Sequence, residues 1–157
     1  MWNDNTSKAH NLEVYFNSDS CFMTSVATSQ NDGKQLVIGS NQGKMMMIDL
    51  ENFAKNWRMA HREQKRVVVI RWCGNVFFSG TDDGHVYLHD PRASEPYVTQ
   101  FRHHSYEIGS LQPSPDNSLL ACGVRELGEV LIWDLRERKI FEQLSTHKSG
   151  NRNVLLV

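Results

Sequence analysis

Apolar residues in this chain come in short runs, each closed by a cluster of turn-forming residues. Phe22-Met-Thr-Ser-Val-Ala27, Gln35 to Gly39, Met45 to Ile48 and Asn56 to Ala60 form one set. Arg66 to Trp72, Val76 to Gly80, His85 to His89 and Pro96 to Phe101 form a second. Glu107 to Gln112, Ser118 to Gly123, Glu129 to Trp133 and Ile140 to Leu144 form a third. Runs this short, rich in Val, Ile and aromatic residues and bounded by Gly, Asn, Asp and Pro, read as strands. Asn31-Asp-Gly33 and Cys73-Gly-Asn75 are the turns, with glycine supplying positive φ. Pro113-Ser-Pro-Asp-Asn117 is a third turn, with its prolines expected outside the hydrogen-bonded ladder. Glu51 to Met59 has some helical periodicity, but its place in the pattern makes it a loop and an outer strand. Met45-Met-Met47 is expected to alternate between core and surface. The expectation is an all-β chain.

The pattern repeats. Gly39-Ser-Asn-Gln-Gly-Lys-Met-Met-Met-Ile-Asp49 returns as Gly80-Thr-Asp-Asp-Gly-His-Val-Tyr-Leu-His-Asp90. It returns again as Gly123-Val-Arg-Glu-Leu-Gly-Glu-Val-Leu-Ile-Trp-Asp134. His61, His104 and His147 keep the same beat, 43 residues apart. A period of about 40 with a Trp-Asp ending marks a WD40-type β-propeller blade. The fold expected is about three consecutive four-stranded blades, an incomplete ring, since propellers close with about 4–8 blades. The blades are placed at about 17–60, 61–103 and 104–146, with the start of a further blade at 147–157. Residues 1–11 are expected to be a flexible N-terminus, and Leu12 to Phe16 the outer strand of another blade.

Repeat position also assigns several polar residues. In such blades a His before the inner strand, a hydroxyl on the second strand, an Asp in the next turn and a Trp on the third strand form a buried chain. His61, Ser79 and Asp83 take three of these places in the middle blade, with His89 in the fourth. The next blade keeps His104 and Trp133, puts Cys122 at the hydroxyl position and has no turn Asp. Half-satisfied polar networks are costly, so this third blade is expected to be the looser one.

Composition removes several function classes. Lys plus Arg is 17 and Asp plus Glu is 18, with no basic excess for a nucleic-acid or membrane-surface protein. No apolar run approaches the roughly 20 residues that span a bilayer. Cys21, Cys73 and Cys122 are three dispersed cysteines, which make neither a disulfide framework nor a zinc site. They point to a reducing compartment, and the location expected is cytoplasm and nucleus. The seven histidines follow the repeat rather than a ligand spacing, so neither a metal nor another cofactor is expected. Asp82-Asp83 is explained by a hairpin turn, and no positioned nucleophile supports catalysis. Gly39 to Lys44 is one residue short of a phosphate loop and lacks the Ser or Thr after Lys. The basic stretch Lys55, Arg58, Arg62, Lys65, Arg66 and Arg71 is read as a solvated loop ahead of a docking patch for an acidic partner.

The segment Arg66-Val-Val-Val-Ile-Arg-Trp-Cys-Gly-Asn-Val-Phe-Phe-Ser-Gly-Thr-Asp-Asp-Gly-His-Val-Tyr-Leu-His-Asp-Pro-Arg92 resembles one blade of the Fizzy family. Those proteins are co-activators that bring substrates to the anaphase-promoting complex, a ubiquitin ligase. His104 to Leu111 and Ser114 to Gly123 are similar to that family's next blade, and residues 12–50 to the preceding one. The resemblance implies a non-catalytic module whose partners are subunits of that ligase and degron-bearing substrates. The family's Ile-Pro box and Ile-Arg ending are not found in these residues. Its Gly-Gly-Asn-Asp-Asn turn is Gly123-Val-Arg-Glu-Leu-Gly128 here. The reading is therefore a fragment or a reduced relative. The endings Asp90-Pro-Arg92 and Trp133-Asp-Leu-Arg136 offer Arg92 and Arg136 as partner-contacting positions. They open the alternative of a cullin-4 substrate receptor; a generic WD40 scaffold is the third reading.

Overall fold

The computed structural model describes residues 20–52, 64–93, 99–102 and 105–145, and the backbone of 55–60. The described secondary structure is entirely strand. The first sheet holds β1 (Met23–Thr28), β2 (Gln35–Ser40), β3 (Lys44–Asp49) and β4 (Lys55–Ala60). The second holds β5 (Val67–Cys73), β6 (Val76–Thr81), β7 (His85–His89) and β8 (Thr99–Arg102). The third holds β9 (Ile108–Pro113), β10 (Leu119–Val124), β11 (Glu129–Asp134) and β12 (Lys139–Ser145). Each sheet is an antiparallel meander in chain order. The first strands lie side by side, β5 against both β1 and β9. The architecture is a run of propeller blades, each with its first strand innermost.

Equivalent registers put Gly39, Gly80 and Gly123 at one place on the second strand. The reason for glycine is the next sheet. A Cβ on Gly39 would lie 2.6 Å from Val67 Cγ1, and one on Gly80 would lie 2.7 Å from Ile108 Cγ2. The first residue of each following inner strand thus seats over the glycine before it. Two apolar seams result. Val37, Met45, Met47, Val67, Ile70, Trp72 and Phe77 fill the first. Val69, Phe78, Val86, Phe101, Ile108, Leu111, Leu120, Leu131 and Trp133 fill the second with their neighbours. Bonds cross the seams at near-constant separation. Thr24 Oγ1 donates to the carbonyl of Val67, Trp72 Nε1 to that of Ala27 at 3.2 Å, and Asn31 Nδ2 to Asn75 Oδ1 at 3.1 Å. At the second seam Cys73 Sγ donates to Asn117 Oδ1 at 3.0 Å.

Two expectations need correction. Met45, Met46 and Met47 do not alternate between core and surface, because all three are buried. Met45 and Met47 face the second sheet, while Met46 packs with Ile38 and Ile48 on the opposite side. A blade buries both faces, so strict alternation is not its signature. Pro113 belongs to the ladder, as the last residue of β9 opposite Leu120. A strand end tolerates the missing N–H. By contrast, Met23 and Val26 on β1 are 58% and 59% exposed, where the equivalent Val67 and Ile70 on β5 are fully buried.

Candidate functional site

The middle sheet carries a buried polar pair. Ser79 on β6 and His89 on β7 are both fully buried, and Ser79 Oγ shares a 2.8 Å hydrogen bond with His89 Nε2. The imidazole stacks on Phe77, with ring centroids 4.7 Å apart at 21°. Asp83 does not join this pair. It sits in the next turn, where Thr81 Oγ1 donates to its Oδ1 at 2.7 Å. His85 Nδ1 lies 3.1 Å away, at ion-pair distance but out of line for a hydrogen bond, and Lys65 Nζ lies at 3.9 Å. Burial pushes the Asp83 carboxyl up, but Thr81, His85 and Lys65 outweigh it, and the net shift is downward. Ser79 and Asp83 are not bonded to each other; Ser79 pairs with His89 and Asp83 with Thr81. His61 lies outside the described residues.

Sequence reasoning missed Thr81. Its hydroxyl is fully buried, donates to Asp83, and is positioned on both the carbonyl (3.1 Å) and the N–H (3.2 Å) of His85. The signal was present, since Ser40 at the equivalent place receives the N–H groups of Gln42 and Lys44. In the third sheet Cys122 and Trp133 occupy the places of Ser79 and His89. Both are buried, and Trp133 crosses the seam to Phe101 at 5.1 Å. His104 lies outside the described residues.

Two opposite faces of the sheets carry the connecting turns. On one face Arg66 binds Glu107 across the second seam, Arg125 binds the same carboxylate, and Arg66 lies 3.8 Å from Asp82. Arg66 and Glu107 each precede an inner strand, so the repeat itself places opposite charges at neighbouring blades. Lys65 and Arg66 are thus committed to ion pairs, while Arg71 is exposed. The other face carries the two Asp-x-Arg turns. Arg92 is folded back on Asp90, its Nε and one terminal nitrogen each 2.9 Å from the carboxylate. That contact holds Asp90 below its ordinary pKa. Asp134 instead accepts the backbone N–H groups of Glu137 and Arg136, both at 2.8 Å, and the Arg136 side chain is exposed. Among the described residues no group of His, Cys, Asp and Glu is placed to hold a metal ion.

The WD40 family model, described as "WD domain, G-beta repeat", matches residues 95–134. The chain is 30% identical over 134 residues to the B-type cell cycle switch protein ccs52A of Medicago truncatula, covering 85% of this chain and 27% of that protein. It is 28% identical over 135 residues to the anaphase-promoting complex subunit cdc20 of Dictyostelium discoideum, covering 86% and 26%. A chain in the crystal structure of a mitotic checkpoint complex superposes with TM-score 0.79 at 28% identity, over 86% of this chain and 40% of that one. Three sheets with repeated seams and this match define a WD40-repeat protein, an all-β partial propeller. Within that class the chain resembles the Fizzy family of anaphase-promoting-complex co-activators. It spans about a quarter of the length of the curated relatives it matches. These likenesses support a protein-interaction role.

Proposed function

We propose that the chain is a non-catalytic, substrate-recruiting co-activator module of the anaphase-promoting complex, or a truncated relative of one, acting in cytoplasm and nucleus. The observation that carries the reading is the likeness along most of the chain to proteins named for that complex and for the cell cycle. The middle sheet is in keeping with it through the tight turn at Gly74-Asn75 and the His89-Asp90-Pro91-Arg92 ending, the segments on which the resemblance rests. The test is affinity purification of the full chain from dividing cells. Subunits of the anaphase-promoting complex and degron-bearing substrates are expected. With a quarter of the relatives' length, the chain alone is expected to bind destruction-motif peptides weakly or not at all. One observation favours the alternative: the Arg136 side chain is exposed beyond its turn. Recovery of the cullin-4 adaptor instead, abolished by Arg136→Ala, would replace the first reading with that one.

A further inference from the structure

We propose that the open face of β1 docks an extended partner segment carrying an aliphatic side chain and, two residues along, a carboxylate. The proposal rests on the protein-interaction reading above and gives it a surface. β1 repeats the inner-strand pattern of β5 and β9, including the bulge after its first residue. In matching registers Met23 takes the place of Val67 and Ile108, and Val26 that of Ile70 and Leu111. The four residues on β5 and β9 are buried in the seams, whereas Phe22, Met23 and Val26 are each more than half exposed. Apolar surface gathered in this way marks an interaction site. Two hollows meet at Val26. Met23, Thr24, Ser25, Val26 and Ile38 line one of about 550 Å³. It contains no ionisable side chain, which fits an aliphatic group. Val26, Ala27, Thr28, Gln30, Arg71 and Trp72 line the other, of about 390 Å³. Its single charge is Arg71. Lys65 and Arg66 of the same basic stretch are held by carboxylates, but Arg71 is in no ion pair among the described residues. Its Nη1 donates only to the carbonyl of Ile70, at 3.0 Å. No carboxylate lines either hollow, so the positive charge there is uncompensated. Thr28 and Gln30 add neutral donors beside it. Side chains two residues apart on an extended segment point the same way, about 7 Å apart. One segment therefore reaches both hollows. A second copy meeting this face with its own would bring no carboxylate to Arg71.

The test titrates the isotope-labelled full chain with acetyl-Gly-Leu-Ser-Glu-Gly-amide, following methyl and guanidinium resonances. Saturable shifts are expected at Met23, Val26 and Arg71, with the Leu111 and Leu131 methyls of the second seam unmoved. Replacing Glu by Gln in the peptide should weaken binding about fivefold, the factor of an exposed ion pair. Replacing Leu by Ala should weaken it about tenfold, for a side chain buried in part. Both protein positions are exposed, so their variants keep the fold, which the second-seam methyls check in the same spectra. Arg71→Gln should abolish the preference for Glu and keep that for Leu; Val26→Asn should do the opposite. Absence of saturable shifts, shifts centred elsewhere, or a preference that survives its matching variant would each overturn the proposal. The same shifts on concentrating the chain without peptide would assign the face to a second copy and overturn it too. Peptide binding with no ligase subunits in the purification would sink the co-activator reading and support this one; the converse would do the reverse.

Discussion

The second and third sheets meet the same structural demand with different chemistry. At one pair of positions the second holds Ser79 and His89, hydrogen-bonded and fully buried; the third holds Cys122 and Trp133, packed against Phe101 and Leu131. Reading Cys122 as a defect in a polar chain makes the third sheet the looser one. The buried pair supplies a counter-argument, because a weakly polar thiol and a largely apolar indole stand where the second sheet has a hydroxyl and an imidazole. Orphaning one partner of a buried hydrogen bond is costly, whereas replacing both by apolar groups is nearly neutral. What matters is consistency within a sheet, not agreement with the repeat consensus.

The largest effect that bears on this comparison is truncation of the third position. Trp133→Ala should cost roughly 3–5 kcal/mol, the range for buried aromatic truncation, because the ring bridges the seam to Phe101. His89→Ala should cost less, since its ring stacks within its own sheet. Denaturant melts of the two variants decide it, and equal losses would remove the distinction. Gly80→Ala comes next, at about 1–3 kcal/mol of overpacking. The added Cβ would meet Ile108 and Val69 within 2.9 Å. Gly39→Ala should match it at the first seam, where Val67 approaches as closely; a neutral Gly39→Ala would mean the seams are not equivalent.

Ser79→Ala should cost roughly 1–3 kcal/mol by removing the hydroxyl that His89 Nε2 meets in the buried sheet. The double variant Ser79→Ala, His89→Leu should recover part of that loss, as the third sheet's apolar solution implies. A strictly additive double mutant would contradict the argument. Asp83 sets a smaller, pH-dependent difference. Its folded-state pKa is depressed, so its contribution is complete above the ordinary aspartate pKa of about 3.9 and is lost as pH falls through the folded value. Asp83→Asn should flatten the acid limb of a pH–stability curve below about pH 4. Asp116, held down to about 2 by the hydroxyls of Ser114 and Ser118, is a fully exposed turn residue, so Asp116→Asn should change that limb less. An unchanged limb in Asp83→Asn would show that the Thr81–Asp83–His85 turn is not coupled to folding.

The repeat made the sheets legible. His85–His89 was placed residue for residue, and the other described strands within a residue or so at most ends. β8 begins only at Thr99, with 94–98 outside the described residues, so the expected start at Pro96 stays open. Side-chain partners were less legible. The repeat reads Ser79 and Asp83 as one chain together with His61, which lies outside the described residues; among those described, Ser79 pairs with His89 and Asp83 with Thr81 in the turn beyond. A motif specifies which residues recur, while the direction of each side chain depends on strand parity. Arg66 and Glu107 could have been paired from sequence, because they hold the same repeat position with opposite charge. Arg92 and Arg136 could not have been told apart: the two turns share Asp-x-Arg, and only the fold of the Arg92 side chain onto Asp90 separates them.

Cysteine labelling gives the smallest and most local test of the comparison. Cys73 and Cys122 come from different sheets but line the same seam, and burial pushes both thiols up. The thiolate is the reactive form, so neither should be modified by an alkylating reagent until the seam opens. Cys21 is partly exposed and should be modified first. If the third sheet is as well consolidated as the second, Cys73 and Cys122 should be labelled at similar rates under native conditions, both through the same opening of the seam. If Cys122 is labelled far ahead of Cys73, the third sheet opens by itself, and Trp133 has not compensated for the missing hydroxyl. The Phe101→Ala variant sharpens the reading, because it thins the seam from the second-sheet side. Both rates should then rise together; a rise confined to Cys122 would show that the ring contact, not the shared seam, protects the third sheet.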